Sequence, residues 1–487
     1  MAAKRLPYGC YNPVRFVVMS QTRRELIKLA TAAVAAAQVV PVRAQQPPSG
    51  SVSVWTTAGK KRFEPGAAQA WKAARETSAD SIVLDPSRKF QEILGFGAAF
   101  TDAACYVLNR MPAAARQTLL EELVNPSKMG LNVFRLCIGS SDYATKAYSF
   151  DEGAPDPQIE RFSIDHDREY ILPVLKQARG INPELFLFGS PWSPPGWMKQ
   201  NKSMLGGCMH KASFAPYAKY FVKFVKAYEE AGVPVQAVTV QNEVDTAQDG
   251  NMPACMWGQE YEVEFVAQHL GPQFAANKID TKIWIIDHNY NLWGRAIAEL
   301  DEPGLNKYVD GVAWHGYLGQ PTAMSRVHEA HPEKHAYWTE GGPDVKDPHY
   351  SNDWSQWSAT FAGILSNWAR CIVAWNIALD EEGKPNIGPF SCGGTVTVNS
   401  KTSEVARSGQ YWAFAHYSRA MKRGARRIES SSVLPGISHV AAVNPDGSYA
   451  VILTNPGAER QVAVRLSGME TEVRLEADSV TTLNWRS

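Results

Sequence analysis

Two glutamates in this chain close apolar runs. Glu243 ends VQAVTVQNE (235–243), and Glu340 lies near the end of KHAYWTEGG (334–342). Val, Thr and aromatic residues suit a buried strand, so each carboxylate is delivered to a strand tip. One such Glu is ambiguous, because an ion pair or a helix cap would also use it. Two on separate strands can work as a pair. One, protonated, donates to a leaving oxygen while the other, ionised, attacks an anomeric carbon, as in a retaining glycosidase with carboxyls roughly 5–5.5 Å apart. Closeness helps, since one negative charge raises the pKa of the other. Asn242, next to Glu243, is placed to hold a sugar 2-hydroxyl.

Rigid posts are needed to hold such a pair. Short apolar runs recur at 92–100, 130–139, 184–192, 235–243, 282–290, 309–317, 334–342 and 371–380. Helix-like segments such as AARQTLLEELVN and APYAKYFVKFVKAYEEAG lie between them. In the latter, Tyr217, Tyr220, Phe221, Phe224, Val225 and Tyr228 recur at helical spacing, which reads as core rather than a binding stripe. Strands alternating with helices predict an α/β fold, a (β/α)8 TIM barrel with an appended antiparallel β-sandwich. The alternative, an open doubly wound sheet, lacks its phosphate turn: GFGAAFTDAA has no third glycine. In a barrel the run ends gather at one mouth, bringing Asp102, Asp142, Trp192, Asn242 with Glu243, Asp287 with His288, His315 with Tyr317, Glu340, and Trp375 with Asn376 together. Posts four and seven face each other across it.

The predicted boundaries are 45–90 for a linker and N-terminal strands, 91–408 for the barrel, and 409–487 for a last helix and the sandwich. SVSVWTTAG (51–59) alternates like a sandwich strand, and NPDG (444–447) reads as a hairpin turn. Residues 1–44 differ. Arg23-Arg24, an Ala/Val-rich stretch and Val42-Arg43-Ala44 have the form of a twin-arginine export signal, with Met19 as the expected start and 1–18 as a start-site artefact. That form places the protein in the periplasm or outside the cell.

The 487 residues carry 49 Lys+Arg and 49 Asp+Glu. Seven Lys/Arg and one Glu precede position 45, so without them 42 basic residues face 48 acidic ones, a formal charge of −6. This excludes an electrostatic case for nucleic acid, and no run reads as a membrane span. Tryptophan is abundant, at 15 residues, and serves either core filling or stacking on sugar rings. Cys105, Cys137 and Cys371 read as buried thiols, and Cys208 with Cys255 as loop residues able to bridge. No CxxC or HExxH spacing suggests a metal, and the expected cofactor set is none. Glu92, Glu121 and Glu122 read as solvated or helix-surface charges.

The motifs, in order, resemble glycoside hydrolase family 30, on its glucosylceramidase and β-1,6-glucanase side. They are FQEILGFGAAFTDAA, RLCIGSSDYATKAYSF, SPWSPPGWMKQN, VTVQNE, WHGYLG, WTEGG and AWNIALDEEGKPN. The resemblance implies Glu243 as acid/base and Glu340 as nucleophile. It implies Asp102, Asp142, Trp192, Asn242, His315, Tyr317, Trp375, Asn376 and Asn386 as sugar-binding residues, and a carbohydrate or glycolipid as partner. Asp102 could instead cap the following helix, Asp142 could hold its loop, and Trp197 reads as packing. Val244, Gly316 and Ala98 depart from the family pattern and leave the aglycone open. Xylosidase, fucosidase or xylanase activity would share the machinery. A carbohydrate-binding protein without catalysis is the rival from another class.

Overall fold

The computed structural model describes residues 48, 50–75 and 81–486; the expected export signal at 1–44 lies outside the described residues. Eight parallel strands close into a barrel: β1 (Gly95–Phe100), β2 (Val133–Cys137), β3 (Phe186–Ser190), β4 (Ala237–Thr239), β5 (Lys282–Asn289), β6 (Val309–His315), β7 (His335–Glu340) and β8 (Ala369–Asn376). Each pairs with its sequence neighbours, and β8 pairs with β1. Helices cover the outside, so the strands are buried on both faces and read as continuous apolar runs. The aromatic stripe of the helix Phe214–Glu230 is buried throughout, which makes it core.

The interior follows from the two-residue period of a strand. Val133, Phe188, Ala237, Trp284, Ala313, Tyr337, Cys371 and Val373 pack together inside the barrel. Each such buried Val or Phe contributes about 1.5–3 kcal/mol. Strands β1 and β2 approach closely at Gly97, where a Cβ would lie 1.8 Å from the Val133 carbonyl oxygen.

The second layer is a large sheet curled into a sandwich. Its order is Lys61–Pro65, Ser51–Ala58, Ser479–Arg486, Ser448–Asn455, Ser438–Val443, Arg426–Ser432, Ser81–Glu92, Arg460–Leu466, Met469–Leu475 and Lys72–Ala73. Ser81–Glu92 and Arg460–Leu466 run parallel, while the other pairs on this path are antiparallel. Ser81–Glu92 leads directly into β1, so the sandwich sheet and the first barrel strand are covalently continuous. Val52, Ile82, Val451, Leu453, Val464, Leu475 and Leu483 form the sandwich core.

The six cysteines beyond Cys10 are free thiols, which corrects the expected option of a Cys208–Cys255 bridge. Cys208 pairs laterally with Met256, one residue past Cys255, and adjacent residues of extended chain point to opposite sides. Glu122 is also more than a solvated charge: it accepts from Arg407 Nε at 2.7 Å and Tyr411 Oη at 2.6 Å, clamping two helical regions together. Among the described residues no helix is long and apolar enough to cross a membrane.

Candidate active site

Continuing the inward alternation up the strands replaces apolar side chains with polar ones. Above Val133 comes Arg135, above Phe188 Ser190, above Ala237 Thr239, and above Tyr337 Thr339. Arg135 is fully buried, a position a guanidinium holds only when paired. It donates to Asp287 Oδ2 at 2.6 Å, Asn242 Oδ1 at 2.7 Å and Ser190 Oγ at 3.0 Å, and it is ion-paired with Glu340. Asp287 also accepts from Thr239 and Thr339, each at 2.7 Å. Arg135 holds this carboxyl well below the ordinary range despite burial, with His315 and Thr239 assisting.

Two backbone irregularities aim the remaining groups. The β5–β6 register slips between Ile286 and His288, and Ile286 and Asp287 have φ of 73° and 45°. A positive φ is costly for a β-branched residue. The bulge lets consecutive residues serve one site: Asp287 reaches Arg135, and His288 faces the mouth. Strand β4 stops at Thr239, short of the run predicted to 243. Glu243 itself sits at φ 54°, with its N–H donated to the Asp287 carbonyl at 3.0 Å. The Glu243 carboxylate is therefore set by a strained turn anchored to the neighbouring strand, not by continuation of its own.

These groups surround a cavity of about 410 Å³ whose lining includes Asp142, Trp192, Asn242, Glu243, Gln248, Met252, His288, Tyr317, Glu340, Trp375, Phe390 and Cys392. Trp192 and Trp375 stack with centroids 4.9 Å apart, and the Arg135 guanidinium lies 4.5 Å from the Trp192 ring. Gln241 fixes Trp192 by donating to its carbonyl at 2.7 Å. Tyr317 donates to Glu340 Oε1 at 3.1 Å. Its backbone N–H is held by Asn289 Oδ1 at 3.0 Å.

One imidazole spans the two glutamates. His315 Nδ1 is 3.4 Å from Glu243 Oε1, and its Nε2 is 3.8 Å from Glu340 Oε2. Burial opposes charge on this ring, but Glu340, Asp287 and Glu243 together lift it to about 9. Burial pushes Glu243 upward; the His315 and His288 imidazoles and the Gln248 amide outweigh it and hold the carboxyl below its usual range. Glu243 and the His315 ring thus favour opposite charges across a gap of 3.4 Å. Asp142 is driven well above the carboxylate range by burial first, then by Glu340 and Glu243, and it lines the cavity.

Of the residues predicted from sequence, Asp142, Trp192, Asn242, Glu243, Tyr317, Glu340 and Trp375 meet at this cavity. His315 stands behind the carboxylates, fully buried. Asp102 and Asn376 do not line the cavity. The Asp102 carboxylate bonds His166 Nε2 at 2.6 Å, Tyr170 Oη at 2.7 Å and the Thr145 N–H at 2.7 Å, because the helix it begins turns it outward. Asn376 Oδ1 accepts from Thr101 Oγ1 at 2.7 Å, inside the wall. Asn386 braces its own loop, donating to the Phe390 carbonyl at 2.5 Å. Arg135 was not foreseen; a lone arginine within the apolar run VFRLC was the available signal. Gln248 begins the short 3-10 helix Gln248–Gly250 and Met252, Phe390 and Cys392 lie on loops, with no distinguishing pattern in the sequence.

Comparison with known proteins bears on this geometry. Residues 93–421 match the glycosyl hydrolase family 30 TIM-barrel domain and residues 424–483 its β-sandwich domain. The chain is 32% identical over 427 residues to an endo-1,6-beta-D-glucanase of Neurospora crassa, covering 83% of this chain and 86% of that one. It is 27% identical to the lysosomal acid glucosylceramidase of Mus musculus, covering 78% of each. Among solved structures, an endo-beta1,6-glucanase superimposes with a TM-score of 0.82 at 29% identity, covering 90% of this chain and 100% of the other.

Proposed function

The chain belongs to glycoside hydrolase family 30 and is a glycosidase, and from that premise we propose that it is an exported, retaining β-glucosidase-type enzyme acting on β-1,6-linked glucan or oligosaccharide, with glucosylceramide-like glycolipid as the other substrate class. One observation carries the reading of the mechanism: Glu243 and Glu340 border the same cavity, with a single imidazole ring between them. The relatives named as an endo-1,6-beta-D-glucanase and a glucosylceramidase support the glucosidic substrate.

Glu340, ion-paired with Arg135 and oriented by Tyr317, attacks the anomeric carbon from one face. The proton held by the Glu243–His315 pair passes through Glu243 to the leaving oxygen. Forming the ester removes the negative charge of Glu340, the largest influence holding His315 up and a charge that opposes ionisation of Glu243. Glu243 then stands ready as the base that draws a proton from water, and hydrolysis of the ester returns the sugar with its original configuration. Asp142, buried at the cavity, binds a sugar hydroxyl, and the Trp192–Trp375 pair supplies an apolar wall.

The test is hydrolysis by purified protein of gentio-oligosaccharides, glucosylceramide and aryl β-glucosides. Glu340→Gln is expected to abolish turnover on all of them. Glu243→Gln is expected to lose about 10²–10⁴-fold on unactivated glycosides while still forming the intermediate from substrates with good leaving groups. Normal turnover of an unactivated glycoside by either variant overturns the assignment. Export is tested separately: Arg23→Lys with Arg24→Lys should retain the precursor in the cytoplasm, and unchanged secretion would refute the twin-arginine reading.

A further inference from the structure

In the wall of the cavity two imidazoles converge on one oxygen of Glu243. His288 Nδ1 lies 3.5 Å and His315 Nδ1 3.4 Å from the same oxygen, Glu243 Oε1. The ligating atoms of the three residues all fall within 4.8 Å of one another. Both Nδ1 atoms are buried without a hydrogen-bond partner. The opposite nitrogen of each ring is occupied by a carboxylate: His288 Nε2 lies 2.6 Å from Asp245 Oδ1, and His315 Nε2 lies 3.1 Å from Asp287 Oδ1. Glu243 Oε2 accepts from the Gln248 amide at 2.6 Å.

This arrangement differs from a good hydrogen-bonded cluster and fits an ion. Separations of 3.4–3.5 Å are long for N–H···O bonds. Two ligand atoms bound tetrahedrally to Zn²⁺ at about 2.0–2.1 Å lie roughly 3.3–3.4 Å apart. A carboxylate on the far nitrogen fixes the tautomer that leaves Nδ1 as the ligand and raises its basicity. Two imidazoles and one carboxylate suit Zn²⁺, Co²⁺, Ni²⁺ or Cu²⁺, not the all-oxygen preference of Mg²⁺ or Ca²⁺. Glu243 and His288 border the cavity, which gives an ion a route in.

We propose that Glu243, His288 and His315 form a binding site for a Zn²⁺-class divalent cation, and that its occupancy reversibly blocks hydrolysis by occupying the acid/base carboxylate. The binding half is independent of the substrate; the blocking half rests on Glu243 being the acid/base. Binding uses the Nδ1 lone pairs of the two rings and one oxygen of Glu243, and it changes no oxidation state.

The probes are Zn²⁺ and Co²⁺ added to the full-length chain, with Mg²⁺ as control. Bound Co²⁺ is expected to show the visible d–d bands of a tetrahedral nitrogen–oxygen site, without thiolate charge-transfer bands, and Zn²⁺ should bleach them. Asp245→Asn, which alters only the partner of His288, should weaken Zn²⁺ by about 10–100-fold. His288→Ala should abolish binding, with circular dichroism confirming its fold, while Cys392→Ser and Cys208→Ser should bind as the parent does. Hydrolysis by the parent should fall with Zn²⁺ occupancy and recover on chelation. Parent-like binding by both Asp245→Asn and His288→Ala, or loss of binding in a cysteine variant, overturns the site and leaves the hydrolytic reading intact. Zn²⁺ bound at this site with undiminished hydrolysis overturns the block and contradicts the acid/base role of Glu243.

Discussion

Arg135 joins most of the site into one unit, since its guanidinium meets Asp287, Asn242 and Glu340 and lies against Trp192. Arg135→Leu strands two buried carboxylates, which costs about 3–5 kcal/mol; urea denaturation should show that loss, and turnover should fall with it. His315 gives a pH signature. Its folded value of about 9 lies above the ordinary 6.5, so its charge contributes stability fully below about pH 6.5. That contribution is lost as pH rises through 9. The melting temperature should therefore decline between pH 7 and 10 more steeply in the parent than in His315→Gln, and equal slopes would contradict the pairing. Glu243, Glu340, Trp192 and Trp375 were legible as side chains at the ends of apolar runs. Arg135 was hidden because an apolar run with one arginine in it still reads as a strand. Asp102 lies away from the cavity for the opposite reason: it follows a strand, but its direction is set by the helix that begins there.

Elements convey the strain that aims these groups. Periodicity revealed where the barrel strands lie, because parallel strands buried on both faces need unbroken apolar runs. It could not reveal the slip at Ile286–His288 or the early end of β4, since a bulge is a backbone event that any sequence of suitable polarity can hide. Yet the bulge is what places Asp287 and His288 in one site. The β1–β2 contact is equally exacting. Gly97→Ala would drive a Cβ into the Val133 carbonyl, a backbone clash at or above the upper end of the 1–3 kcal/mol usual for overpacking. A markedly lowered melting temperature is expected, with Arg135 displaced and activity lost; a variant with parental stability would refute the close approach.

At the scale of the molecule, barrel and sandwich share buried polar contacts as well as chain. His416, on the helix Gly409–Ser418, accepts or donates at 2.8 Å to both Thr57 Oγ1 and Thr482 Oγ1 of the sandwich sheet. Burial, and secondarily Arg419, lowers this ring to about 3. The neutral ring's contribution is present above pH 6.5 and is lost as pH falls toward 3, amounting to about 3 kcal/mol by pH 4. Stability should fall more steeply from pH 7 to 4 in the parent than in His416→Gln. The short alternating C-terminal strands were readable, but the insertion of Ser81–Glu92 between Arg426–Ser432 and Arg460–Leu466 was not. Pairing partners more than 300 residues apart leave no local pattern. The central claim remains that Glu340 attacks sugar carbon while Glu243 manages the proton. It is tested most directly by mass spectrometry of the protein treated with a 2-deoxy-2-fluoro-β-glucosyl fluoride: the account predicts a fluoroglucosyl ester on the peptide containing Glu340, and an ester on any other residue would contradict it.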